Sequence, residues 1–300
     1  MVKYEDKIYD QLIESGLLEK NIYFNKDNTI KDTKRCVESI RERYSKVNIV
    51  IVDNGSPNNS GEEVKKYYKD DKNIHVVISK ENLGFACGNN LGIKYIKDNI
   101  DTDFIIMINS DTYLITSDFL EVIEKEYKSS KFGVLGPRIL LPNNKVSNYG
   151  WDVESEEYLR KKIKDCKKDL FFDKIHLYFL RDIYKRIYNK LFVKKIINDT
   201  SSRAEDVVLN GCALVFSKEF LNKFDGLYDK TFLYEEEQFL YYMCKDNNIK
   251  MVYNPLLMIY HNCGSSTSHN RNARQKRMFN RENYLKSIAL LLEYIDNRKK

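Results

Sequence analysis

The sequence predicts an α/β fold, a mostly parallel sheet flanked by helices and interrupted by a helical insertion. Three observations predict it. From residue 47 onward, short apolar runs alternate with amphipathic stretches, the pattern of βαβ units. Two strands end in polar clusters, Asp53-Asn54-Gly55-Ser56 and Asn109-Ser110-Asp111, at the carboxyl ends where such sheets bind ligands. Residues 155–197 break the pattern, with thirteen Lys/Arg against six Asp/Glu and neither Gly nor Pro.

Taken in order, residues 1–20 read as a charged, helical N-terminal extension and 21–26 as a first strand, although Asn25 and Lys26 suit a strand interior poorly. Thr33 to Tyr44 reads as a helix, Val47 to Val52 as a strand, Gly61 to Tyr68 as a helix and Ile74 to Ile78 as a strand. A helix from Asn89 to Lys97, a strand from Phe104 to Ile108 and a helix from Ser117 to Lys128 follow. After the insertion, at about 155–200, come an apolar run from Val207 to Phe216, a helix from Ser217 to Phe224, and a turn at Asp225-Gly226-Leu227. The acidic run Glu235-Glu236-Glu237 opens a helix that continues from Gln238 to Lys245, and a strand follows at Lys250 to Tyr253. These elements make one catalytic-sized domain over 21–270, closed by a basic helical tail at 271–300.

Within the insertion, Phe172, Ile175, Phe179, Ile183, Ile187 and Leu191 recur at three- and four-residue steps beside Lys174, Arg181, Lys185, Arg186 and Lys190, an amphipathic helix. The stripe reads first as a face packed on the main domain. Its competing reading, over 171–197, is an interfacial helix resting on anionic lipid.

Composition narrows the classes. With 42% hydrophobic and 31% charged residues in 300, the chain is long enough for a large folded domain. A formal charge of +6 tolerates anionic partners such as phosphate esters. Nucleic acid is not expected, because the positive charge concentrates in one helical insertion without a recognition motif. The six cysteines are scattered without a CxxC pair, so neither a disulfide framework nor a zinc knuckle is expected. Met1 to Lys20 has no apolar secretory core, and the expected location is cytoplasmic, with contact at the inner face of the membrane as the second expectation.

Several motifs in one order carry a resemblance: Asp32-Thr33 through Cys36-Val37-Glu38-Ser39-Ile40, Ile51-Val52-Asp53-Asn54-Gly55-Ser56, Asn82-Leu83-Gly84-Phe85 through Asn89-Asn90 and Gly92, Asn109-Ser110-Asp111, Leu209-Asn210-Gly211-Cys212-Ala213, Phe232-Leu233-Tyr234 with the glutamate run, and His261 before Gly264-Ser265-Ser266. Together they resemble the family 2 glycosyltransferases, particularly the bacterial branch with rhamnosyltransferases and builders of capsule and other surface polysaccharides. The resemblance implies a glycosyltransferase A-type, Rossmann-like fold. It also implies inverting transfer of a sugar from a UDP- or dTDP-linked donor to a hydroxyl of a glycan or lipid-linked saccharide, with Mg²⁺ or Mn²⁺ as cofactor.

Each chemical need has a candidate. Asp53 with Asn54 suits the nucleobase or ribose, or else caps the following turn. The glycine-rich stretch with Asn82, Gly84 and Asn89 lets backbone approach a donor ahead of a helix N-terminus. Asn109, Ser110 and Gly211 complete the expected nucleotide-sugar contacts. Asp111 is the metal candidate, a hard carboxylate at a strand end, and His261 is a second ligand or a diphosphate contact. In the resemblance the catalytic Glu-Asp pair falls on Glu236-Glu237, so Glu237 takes the base's place, with Glu236 beside it. Such carboxylates also suit a helix N-terminal dipole. Two other classes compete: a non-catalytic glycan- or nucleotide-binding member, and a sugar-phosphate nucleotidyltransferase, against which stands the absence of glycine from residues 21–35.

Overall fold

The computed structural model describes residues 29–142, 145–147, 153–192, 200–263 and 272–298. The expected N-terminal helix, the first strand at 21–26 and the Gly264-Ser265-Ser266 loop lie outside them. Helix α1 (Thr29–Arg41) leads into β1 (Ile49–Asp53), and α2 (Ser60–Tyr67) crosses over to β2 (Ile74–Ile78). Helix α3 (Phe85–Asn99) precedes β3 (Phe104–Ile108) and the short β4 (Thr112–Leu114); α4 (Phe119–Ser130) then leads to β5 (Val134–Leu141) and β6 (Lys145–Ser147). The insertion is a pair of helices, α5 (Glu156–Lys174) and α6 (Tyr178–Phe192). After it come β7 (Ala204–Glu205), β8 (Ala213–Ser217), α7 (Lys218–Leu221), α8 (Glu236–Asp246), the long β9 (Met251–His261) and α9 (Ala273–Asn297).

The α/β class stands, and the sheet is mixed rather than mostly parallel. β1 and β2 pair in parallel, Asp53 opposite Ile78. The larger sheet runs β3-β8-β5-β9-β4, with β6 on β5 and β7 on β9. Only β5–β9 is parallel there, whereas β8 runs antiparallel to both its neighbours. Alternating strands and helices signal crossovers, which give parallel pairs. They carry no direction for a strand such as β8, which re-enters after a helical insertion.

The sheet is covered on both faces, which is why its strands read as unbroken apolar runs. Side chains alternate with period two. On β8, Leu214 and Phe216 pack into one cluster with Ile105, Met107, Phe239 and Leu240. Ala213 and Val215 face the other cluster, among Phe119, Ile123, Phe132 and Ile259. The strand β9 is far longer than the four residues its apolar run suggests, because its Pro255 is absorbed at a register shift: Asn254 pairs with Pro137, and Met258 with the next residue, Arg138. Thr116 spans this bulge, donating to Leu256 O at 3.0 Å and accepting from Met258 N at 2.7 Å. The extra length carries β9 to His261.

Candidate active site

Three chain segments meet at the carboxyl end of β3. The Asn109 amide continues the β3–β8 ladder by donating to Cys212 O at 2.9 Å, so the Asn109–Asp111 turn lies against the Asn210–Cys212 loop. The turn closes on itself, with Thr112 N donating to Asn109 O at 3.1 Å. β4 then pairs with the end of β9, Thr112 opposite His261. That pairing sets Asp111 beside His261, Oδ1 to Nε2 at 3.2 Å, and the Asn262 amide donates to Asp111 O at 2.9 Å. Asp111 is buried, and Ser110 beside it is exposed. Burial opposes the charge on His261, but hydrogen bonding to Asp111, then Cys212 and Cys263, outweighs it and pushes the imidazole up to about 12.

The glutamate run enters from the other side of the same loop. Tyr234 and Glu235 have φ of 78° and 69°. Two successive non-glycine residues in the left-handed region are costly and concentrate at functional sites. This bend starts α8 so that Glu237 reaches Gly211, whose amide donates to Glu237 Oε1 at 3.2 Å. A Cβ at Gly211 would sit 3.0 Å from that oxygen, so a side chain there would push the Glu237 carboxyl away by a few tenths of an ångström. Burial raises the Glu237 carboxyl, opposed by its own amide and that of Gly211. Burial and then the neighbouring Glu237 push Glu236 up to about 7; its buried Oε1 has no hydrogen-bond partner among the described residues. Burial raises both Glu235 and Glu154, and for Glu235 the neighbouring Glu154 is the next cause, as expected of two buried carboxyls close together.

The remaining predicted residues form a second group, around the end of β1. Asp53 is engaged in the turn that follows it: Oδ1 accepts from Ser56 N at 2.8 Å and Oδ2 from Ser60 Oγ at 3.0 Å. Asn54 brackets the glycine-rich loop, donating to Gly84 O at 2.7 Å and accepting from Leu83 N at 3.0 Å. Asn82 accepts from Gly84 N at 2.9 Å, and Asn89 donates to Phe85 O at 2.9 Å. These side chains shape the loop. Gly84, at φ 86°, has the carbonyl of Phe232 where a Cβ would be, 2.2 Å away. Phe85 N also donates to Phe232 O at 2.8 Å. The loop therefore docks on the segment leading into the glutamates, which joins the two groups.

Among the described residues no three His, Cys, Asp or Glu side chains stand together as a metal cluster. Asp111 and His261 nevertheless fit one divalent ion, provided the cation displaces the proton that the imidazole holds against Asp111. Their 3.2 Å separation approximates the edge of about 3.0 Å spanned by neighbouring ligands at ~2.1 Å in an octahedron. Mg²⁺-type sites take one or two protein ligands and draw the rest from phosphate and water, so two donors suffice.

With this geometry in place, the comparisons are decisive about family. A model described as Glycosyl transferase family 2 matches residues 22–188. The chain belongs to glycosyl transferase family 2. It is 30% identical over 107 residues to the low-salt glycan biosynthesis hexosyltransferase Agl10 of Haloferax volcanii, covering 34% of this chain and 33% of that protein. It is 22% identical over 206 residues to the glycosyltransferase GlyA of Streptococcus pneumoniae serotype 4, covering 67% of this chain and 28% of that protein. The matches thus span about a third or less of these curated relatives. The crystal structure of GalNAc-T7 with UDP, GalNAc and Mn²⁺ superposes with a TM-score of 0.52 at 12% identity, over 85% of this chain and 47% of that one, a likeness of fold. As a family 2 chain it has a glycosyltransferase A-type fold, and the family supports glycosyl transfer.

The family match, over residues 22–188, ends before Gly211, Glu237 and His261, so their grouping rests on geometry. Sequence reasoning missed two participants. Glu154, just before the insertion, is a neighbouring carboxyl that helps raise Glu235. Asp32 on α1 accepts from Tyr113 Oη at 3.2 Å; burial, with Asp111 among the lesser causes, raises its carboxyl. Glu154 had no signal in the sequence, whereas Asp32 stands in the Asp32-Thr33 motif of the resemblance without a role assigned to it, because its place beside Tyr113 is a contact distant in sequence.

Proposed function

We propose that this chain is a metal-dependent, inverting glycosyltransferase that moves a sugar from a UDP- or dTDP-linked donor to a hydroxyl of a glycan or lipid-linked saccharide, in surface polysaccharide synthesis. The observation that carries the reading is the junction at Gly211: its amide holds Glu237, and its neighbour Cys212 receives the Asn109 amide beside Asp111. A carboxylate for the acceptor and a cation site for the leaving group thereby share one loop. Supporting the cofactor, GalNAc-T7 of the same fold was crystallised with UDP and Mn²⁺.

In this reading the loop shaped by Asp53, Asn54, Asn82, Gly84 and Asn89 walls the nucleotide, and Asn109, Ser110 and Gly211 line the sugar. Asp111 and His261 hold Mg²⁺ or Mn²⁺, which neutralises charge on the departing diphosphate. Glu237 takes the proton of the acceptor hydroxyl as that oxygen bonds to the anomeric carbon. The bond from that carbon to the donor's phosphate oxygen breaks, and its electron pair leaves on the diphosphate. A single displacement inverts the anomeric configuration. Glu236, with its unpartnered buried oxygen, is the competing base. The test is nucleoside diphosphate release across a donor panel. Release that depends on acceptor and is lost in Glu237→Gln is expected; near-normal release in that variant would move the base elsewhere.

A further inference from the structure

The insertion inverts the usual order of an amphipathic helix. The polar side of α6 faces the protein. Arg181 donates to Asp169 at 2.9 Å and to Asp165 at 3.0 Å, both on α5, and Lys185 also pairs with Asp169. The Tyr178 ring lies 4.2 Å from the guanidinium carbons of both Arg277 and Arg281 of α9. Arg281 in turn pairs with Asp169 at 3.2 Å and with the fully buried Asp173.

The opposite side is apolar and exposed. Phe179, Ile183 and Ile187 form one ridge at four-residue steps, and Leu180, Tyr184 and Tyr188 form a second beside it, all 41–57% exposed. Phe171, Ile175 and Leu177 extend the patch across the turn from α5. Nine of the fifteen exposed large hydrophobics among the described residues thus lie within 171–188. Scattered exposed apolar residues are ordinary, whereas one contiguous patch marks an interaction surface. The first reading of the stripe, a face packed on the main domain, is thereby corrected. Rotating α6 to bury the patch would take Arg181 and Lys185 from Asp169, whose buried carboxylate would keep only Arg281 among the described residues, and breaking pairs at a buried charge is costly.

We propose that this face seats on an anionic lipid surface, α6 lying in the headgroup plane. Charge decides the partner. The patch is rimmed by Lys167, Lys168, Lys174, Arg186 and Lys190, all exposed, while the acidic Asp182 of α6 is held by Arg186 at 2.8 Å. An apolar face with a cationic rim is the pattern of an interfacial helix, and each cation adds attraction to acidic headgroups. No helix among the described residues is long and apolar enough to cross a membrane, so the contact is peripheral. It rests on no assignment in the active site.

The test is flotation of the whole chain with phosphatidylglycerol-rich and with pure phosphatidylcholine vesicles, without donor or acceptor, alongside sedimentation equilibrium without lipid. Expected is flotation with the anionic vesicles alone, weakened by salt, and reduced about tenfold or more by the paired substitution Ile183→Asn and Ile187→Asn, with an unchanged thermal midpoint. Three results would overturn it: no flotation, flotation unchanged in the variant or equal on neutral lipid, or a dimer that the variant dissociates, which would make a second copy the occupant.

Discussion

Helices α8 and α6 both break the rule that charge faces water and apolar surface faces in, and they break it differently. In α8 the exception is confined to its entry. Glu235 and Glu236 are buried, two left-handed residues set the bend, and the helix beyond them is ordinary core, with Phe239, Leu240 and Cys244 fully enclosed. In α6 the exception runs along the whole face, from Phe179 to Tyr188. A local exception positions a few carboxyl groups at high cost per residue, as a reactive site requires. A distributed one presents area, as a docking surface does.

The comparison breaks first at the carboxylates. Glu237→Gln is expected to lower turnover by ~10² to 10⁴-fold, while Glu236→Gln keeps it within about tenfold, measured as kcat with saturating donor. Equal losses would erase the distinction between the two. Next, Phe239→Ala, which empties a fully buried site, is expected to destabilise by about 3–5 kcal/mol, read from the denaturant midpoint. Ile183→Asn on α6 should fall within about 0.5 kcal/mol; a core-like loss there would mean the α6 face is packed rather than presented.

How much of this was legible in the sequence depends on what each signal encodes. Strands β1, β2 and β3 stood out because each is a short apolar run between polar turns. β5 did not, since Gly136 and Pro137 interrupt it, and the end of β9 was hidden by Pro255. The stripe on α6 was visible, but periodicity reports that a helix has two faces, not which one turns inward; that is set by Asp165 and Asp169 of α5 and by Arg277 and Arg281 of α9. Likewise the motif at Asn82 to Asn89 was legible as a glycine-bearing loop ahead of a helix, while the commitment of the Asn54, Asn82 and Asn89 amides to holding that loop is set by contacts between the two segments and within the loop. The meeting of Asp111 with His261 was suggested only by resemblance and is produced by the β4–β9 pairing.

A smaller effect separates the two helices by pH. The Glu236 carboxyl is raised from 4.5 to about 7, so between those values the folded chain holds a proton that the unfolded chain has lost. Stability from this group is therefore present at low pH and declines as pH rises through about 7. Glu236→Gln removes that decline, so its Tm relative to the parent should rise by about 2 °C or more between pH 5 and pH 8. A difference that is flat or falls with pH would show that the carboxyl ionises normally.

The central claim, that Asp111 and His261 complete a cation site with the donor's diphosphate, is tested most directly by isothermal titration with UDP, with and without Mn²⁺. The account predicts binding that requires Mn²⁺ and weakens by about tenfold or more in Asp111→Ala. UDP binding that is equally tight without the metal and in the variant would contradict it.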